Sequence, residues 1–152
     1  MDTSPFDTAQ EPRRVDALLD HYAQSHQHPV NERIHFVAIP LIMLSLIGML
    51  FSLHPLIAYG FMLASMVYYL RLSLTFTLAM AIWSAIMLWL VHLMGDSRLS
   101  ICLSVFAGAW VLQFLGHRIE GKKPSFFEDI QYLWVGPLFV LKPLCEKWRI
   151  AW

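Results

Sequence analysis

The chain carries 7 histidines, and three of them fall beside amides and a carboxylate: His26, then Asn31 with His35, and later Gln113 and His117 with Glu120. Spacings of four and three place Gln113, His117 and Glu120 on one helical face, while Asn31 and His35 share a face of another helix. Imidazoles with a carboxylate suit a divalent transition metal. Iron(II) that activates oxygen typically has a few histidine and carboxylate ligands and keeps open positions. Structural zinc closes its shell, usually with cysteine, and Cys102 and Cys145 form no C-x-x-C pair. Hydrolytic chemistry has no support, because neither a G-x-S-x-G elbow nor an H-E-x-x-H pair occurs. His54 and His92 lack a neighbouring carboxylate and are read as bonding to adjacent helices, and His21 and His28 as solvated positions.

The elements that must position these residues follow from composition. Of 152 residues, 57% are hydrophobic and 14% charged, with a mean hydropathy of +0.53, whereas a soluble domain carries about a quarter charged residues. Between Ile34 and His117 the formal charges are Arg71, Asp96 and Arg98. This distribution excludes an ordinary soluble globule, a disordered chain and a nucleic-acid binder. It implies one all-α, polytopic membrane domain over residues 1–152, with about four transmembrane helices.

The expected spans are Ile34 to Leu53, Pro55 to Leu70, Leu72 to Met94 and Leu99 to Gly116, the second being the shortest. His54-Pro55, Arg71 and Gly95 to Arg98 break them. Residues 1–12 read as a disordered tail and 13–28 as an amphipathic helix, on which Val15, Leu18, Leu19, Tyr22 and His26 fall in one arc. Pro29 is expected to end that helix, with Asn31 as the N-cap of the first span. Residues 118–152 read as a segment that is interfacial or re-entrant, because the apolar run from Ile130 to Leu141 is short and interrupted by Gly136-Pro137. The polar first 33 residues, with both acids and bases, do not read as a cleavable signal peptide.

Four crossings put both ends of the 34–117 core on one side of the membrane. Arg13, Arg14, Arg33, Arg71, Arg118, Lys122 and Lys123 lie there, against Arg98 on the other side, so the N-terminal side reads as cytoplasmic. The same parity brings His26, His35 and His117 to one membrane face.

Two motifs carry a family resemblance. Tyr22-x3-His26-x4-Asn31-x3-His35, followed by Pro40 and a hydrophobic span, is the first. The second is Gln113-Phe-Leu-Gly-His117-Arg-Ile-Glu120-Gly-Lys-Lys-Pro124-Ser-Phe-Phe-Glu128-Asp129. Together they resemble the small membrane family that includes the yeast Fe(II)-dependent 2-hydroxy-fatty-acid α-dioxygenase of phytosphingosine degradation, and its bacterial members in particular. The resemblance runs over about residues 13 to 145 and sets the chain apart from the histidine-rich membrane desaturases and hydroxylases.

The resemblance implies a dioxygenase that uses Fe2+ and O2 to shorten a 2-hydroxy fatty acid by one carbon with release of CO2. It makes His26, His35 and His117 the candidate iron ligands and Glu120 a fourth ligand or a base beside them, with Asn31 and Gln113 as further candidate catalytic residues. Around Glu120 the yeast-type members have a different sequence. Arg33 and Arg118 are candidates for attracting the substrate carboxylate, while Lys122 and Lys123 are better explained by topology and lipid headgroups. The acyl chain is expected among the spanning helices, and the implied location is a bacterial inner membrane with the N-terminus cytoplasmic. The competing reading is a non-enzymatic membrane protein whose histidines hold a structural metal or a lipid headgroup.

Overall fold

A computed structural model describes residues 13–24, 26–121 and 132–152. The described residues form helices and turns without strands. The expected tail 1–12, Lys122 and Lys123 lie outside them.

Helix α1, Arg14–Ala23, buries Val15, Leu19 and Tyr22 along one stripe, as its amphipathic pattern requires. It stops short of the expected 13–28 span, and His26 lies beyond its end. The cause is local. In a continuing helix the His26 N–H would take the Tyr22 carbonyl, but the His26 ring occupies that oxygen through Nδ1 at 2.8 Å, and the N–H turns to Ala23 O at 3.0 Å.

Helix α2, Pro29–Leu53, starts earlier than expected. Pro29 opens this helix as its first residue, where its fixed φ and missing N–H are favourable. The N-cap is His28, whose Nδ1 accepts Val30 N–H at 3.2 Å; Asn31 is therefore not the cap but lies buried inside the first turn. Helix α3, Pro55–Leu70, has the bounds expected for it and repeats the device, with His54 Nδ1 accepting Leu56 N–H at 3.2 Å. Ser73 caps helix α4, Leu74–Leu93. A 3-10 turn, Gly95–Ser97, leads to helix α5, Arg98–Glu120, which ends at Gly121 in the left-handed conformation.

Three helical stretches, Pro29–Leu53, Leu74–Leu93 and Gly95–Glu120, are long and apolar enough to cross a membrane, and Pro55–Leu70 is a shorter apolar helix. Only 28% of the most apolar window is buried in each of the last two long stretches. Side chains such as Leu78, Ile82, Trp89, Leu103 and Val111 face outward. Apolar surface on this scale requires lipid rather than water around it.

Helix α2 packs against α3 and α4 and most extensively against α5. Two glycines set the α2–α5 approach. A Cβ on Gly116 would collide with the Asn31 side chain, and one on Gly48 would collide with Cys102 Sγ. The start of α2 thus meets the end of α5 and vice versa, so the pair is antiparallel.

Helix α6, Val135–Lys147, is too short to span. All residues from Val135 to Leu141 are buried, packed against α1, α2 and α4. Just before it, Trp134 Nε1 donates to Ser65 Oγ at 2.9 Å and the Trp134 carbonyl accepts from Tyr69 Oη at 3.0 Å, tying α6 to α3. At the C-terminus, Trp152 Nε1 donates to Asp16 Oδ1 on α1 at 2.9 Å, and Thr75 Oγ1 on α4 donates to the Ala151 carbonyl at 2.8 Å.

A candidate metal centre of three buried histidines

His26 follows α1, His35 sits in the second turn of α2 and His117 in the last turn of α5. Their exposures are 7%, 0% and 6%. Ring centroids are separated by 4.1 Å for His26 and His35, 5.1 Å for His35 and His117, and 5.5 Å for His26 and His117. One nitrogen from each ring lies within 4.8 Å of those of the other two, close enough for one ion with ligand bonds of about 2.1 Å.

Two rings are held in the tautomer that leaves the lone pair on Nε2. His26 Nδ1 lies 2.8 Å from the Tyr22 carbonyl and His35 Nδ1 lies 2.9 Å from the Asn31 carbonyl. A carbonyl only accepts, so Nδ1 carries the proton in both and Nε2 keeps the lone pair. Donation from the second ring nitrogen to a carbonyl is the usual way of orienting a ligating histidine. His35 Nε2 is buried with no hydrogen-bond partner, a costly arrangement for a polar atom that a metal would relieve. Tyr22 stacks on the His26 ring at 4.2 Å and 12°, and Phe139 of α6 lies 5.8 Å from it.

Glu120 stands outside this trio. Its Oε1 accepts Gln27 N–H at 3.0 Å, and its Oε2 accepts His28 N–H at 2.8 Å and Asn31 Nδ2–H at 3.1 Å. The carboxylate at the end of α5 therefore caps the beginning of α2, where the helix dipole favours negative charge. It also clips the segment just after His26 to the helix that carries His117.

Asn31 joins the two halves of the site. Its side chain donates to Glu120, its carbonyl accepts from His35, and its Oδ1 is buried without a hydrogen bond. Gln113, one turn before His117, is 5% exposed and lines a small cavity together with Tyr22, Ile39 and Trp110. Arg33 and Arg118 are exposed.

The other histidines do structural work. His28 and His54 cap helices. His92 Nδ1 lies 2.7 Å from the Leu88 carbonyl, with the ring against Phe51. His21 lies 5.7 Å from the Tyr132 ring. Thiol chemistry has no place at the centre, since the metal-capable group contains no cysteine; burial, with Glu146 beside it, pushes the Cys145 thiol above its ordinary value.

Sequence reasoning did not assign site roles to Tyr22, to the Gln27 and His28 amides or to Phe139. A signal for the first was present: the pairs Tyr22–His26 and Asn31–His35 share a spacing of four, and in each the earlier residue supplies the carbonyl that holds the ring.

No curated protein and no solved structure matches the chain. A family model described as 2-hydroxy-palmitic acid dioxygenase Mpo1-like matches residues 13–148. That range holds the three histidines, both carbonyls that orient them and the Glu120 clip, and over it the chain belongs to the Mpo1-like family.

Proposed function

We propose that the protein is an integral-membrane, Fe2+-dependent dioxygenase that converts a 2-hydroxy fatty acid into the fatty acid one carbon shorter. The observation that carries this reading is the buried trio of His26, His35 and His117, in which Nδ1 of two rings is already committed to carbonyls. Three imidazoles without a thiolate suit iron(II) better than a closed structural zinc site. When bound, Fe2+ supplies the redox chemistry that couples O2 to the 2-hydroxy acid and helps to orient the two reactants.

The overall reaction balances as one 2-hydroxy acid and one O2 giving one shortened acid, one CO2 and one water. The bond between the carboxyl carbon and C2 breaks. O2 is reduced, and C2 is oxidised from the alcohol to the carboxyl level.

The chain's own contributions follow from the geometry. The Tyr22 and Asn31 carbonyls retain the ring protons on Nδ1 and so keep Nε2 basic. Tyr22 and Phe139 shield the His26 ring from solvent. Glu120 positions the His26 segment through two backbone amides, and Asn31 transmits that position to His35. Arg33 and Arg118 favour an anionic head group at this face of the membrane. We place the protein in a bacterial inner membrane, on its resemblance to bacterial members of the family, with four crossings and, on the bias of Arg and Lys towards that side, the histidine face cytoplasmic.

The test is oxygen uptake by the purified protein in detergent with 2-hydroxypalmitate. Uptake should be stoichiometric with pentadecanoate and CO2, stop on chelation and return with Fe2+. A protein that holds iron yet consumes no oxygen with this substrate would have a structural metal site instead.

A further inference from the structure

One turn further along α2 and α5 from the histidines, the helices enclose a cavity of about 30 Å³ lined by Ile39, Ile42, Trp110, Gln113, Gly136 and Tyr22 among others. It adjoins the metal centre through three one-turn steps. Tyr22 precedes His26 by four residues and stacks on its ring, Ile39 follows His35 by four, and Gln113 precedes His117 by four. The walls are largely apolar. Gln113 is one of the lining residues and its Oε1 is buried without a hydrogen-bond partner; a buried acceptor left without a donor is costly unless a ligand supplies one.

We infer that this cavity receives the first carbons of the substrate and that Gln113 Oε1 accepts a hydrogen bond from its 2-hydroxyl group. Gln113 is then the positioning residue that selects 2-hydroxy acids over unsubstituted ones. The inference rests on the 2-hydroxy-acid reading given above.

Size and chemistry agree with it. A volume of about 30 Å³ exceeds the roughly 10–15 Å³ that one water-sized group needs, yet it is far too small for a whole acyl chain. The cavity therefore accommodates the start of the chain, and the remaining methylenes pass between the helices towards their apolar outer surface. An unsubstituted fatty acid offers a C–H where the 2-hydroxy acid offers an O–H. It leaves Gln113 Oε1 unpaired, so it forgoes a hydrogen bond worth about tenfold in affinity.

The experiment is equilibrium binding of radiolabelled 2-hydroxypalmitate and palmitate to the full-length, iron-loaded protein, with iron content measured in parallel. The parent should prefer the 2-hydroxy acid. Gln113→Met, nearly the same shape without the acceptor, should lower that preference about tenfold while retaining iron. Unchanged preference in Gln113→Met, or no preference in the parent, overturns the inference.

Should Gln113→Met fail to hold iron, Ile42→Phe fills the cavity from α2 and leaves Gln113 in place. It should weaken both acids about tenfold, and parental affinity for both overturns the inference. Binding and turnover separate the two readings: a parent that consumes oxygen with 2-hydroxypalmitate while Gln113→Met keeps full preference refutes the role of Gln113 alone. A parent that shows no oxygen uptake refutes the dioxygenase.

Discussion

Glu120, the last residue of α5, accepts the backbone N–H of His28, the N-cap of α2, at 2.8 Å. The contact closes a loop of 92 residues in sequence and fixes the entry to α2 against the exit from α5. His26 lies two residues before one partner and His117 three before the other, so one carboxylate governs the relative position of two histidines without belonging to their cluster.

Glu120→Gln tests that clip. The amide keeps one acceptor oxygen but turns an NH2 group toward N–H donors, so the variant should lose about 1 kcal/mol of stability, in the range of an N-cap deletion. Iron affinity should fall about 10- to 100-fold, as for other groups that orient metal ligands. Iron titration beside a thermal melt separates the two effects. Parental iron affinity would reduce Glu120 to a surface cap.

Alanine at His26, His35 or His117 should each remove most of the bound iron and the oxygen uptake. His54→Ala is the control, because His54 caps α3 rather than joining the trio. Metal analysis of the four purified variants checks this, and equal iron in all of them would sink the assignment.

Gly116→Ala addresses the close approach of α2 and α5. The added Cβ would meet the buried Asn31 side chain and approach Ile34, and overpacking of this kind costs about 1–3 kcal/mol. Gly108→Ala on the same helix meets nothing within 4 Å and should be neutral or mildly stabilising. Thermal melts of both variants, with iron content for the first, give the comparison; equal melting temperatures would show that the interface yields without cost.

Orientation is measured by single cysteines in a Cys102→Ser, Cys145→Ser background. Asp96 and Arg71 are both exposed. An impermeant thiol reagent applied to the periplasmic side should label Asp96→Cys and not Arg71→Cys. The opposite pattern reverses the orientation, and labelling of both changes the number of crossings.

Sequence alone determined that this is a helical membrane protein, because hydropathy is a local property that sums along each segment. It also located the Pro55–Leu70 helix, whose boundary is set by a proline. That His26, His35 and His117 could share one face was legible too, since four expected crossings return the chain to the side it left; their approach to within 4.8 Å was decided by tertiary packing. Only the tertiary structure decided what each group touches. Asn31 read as a cap, but Pro29 opens the helix earlier and His28 supplies the cap. His26 read as part of α1, but its ring takes the carbonyl that would have continued the helix. Glu120 read as a ligand or base, and the structure adds what its oxygens touch, the amides of Gln27, His28 and Asn31. Two of those three donors, and both carbonyls that orient the histidines, belong to the backbone. Such groups are carried by nearly every residue type, so the sequence shows that they exist, and only the tertiary structure shows which are paired: the carbonyls with rings four residues on, the Gln27 and His28 amides with Glu120 across the α2–α5 contact.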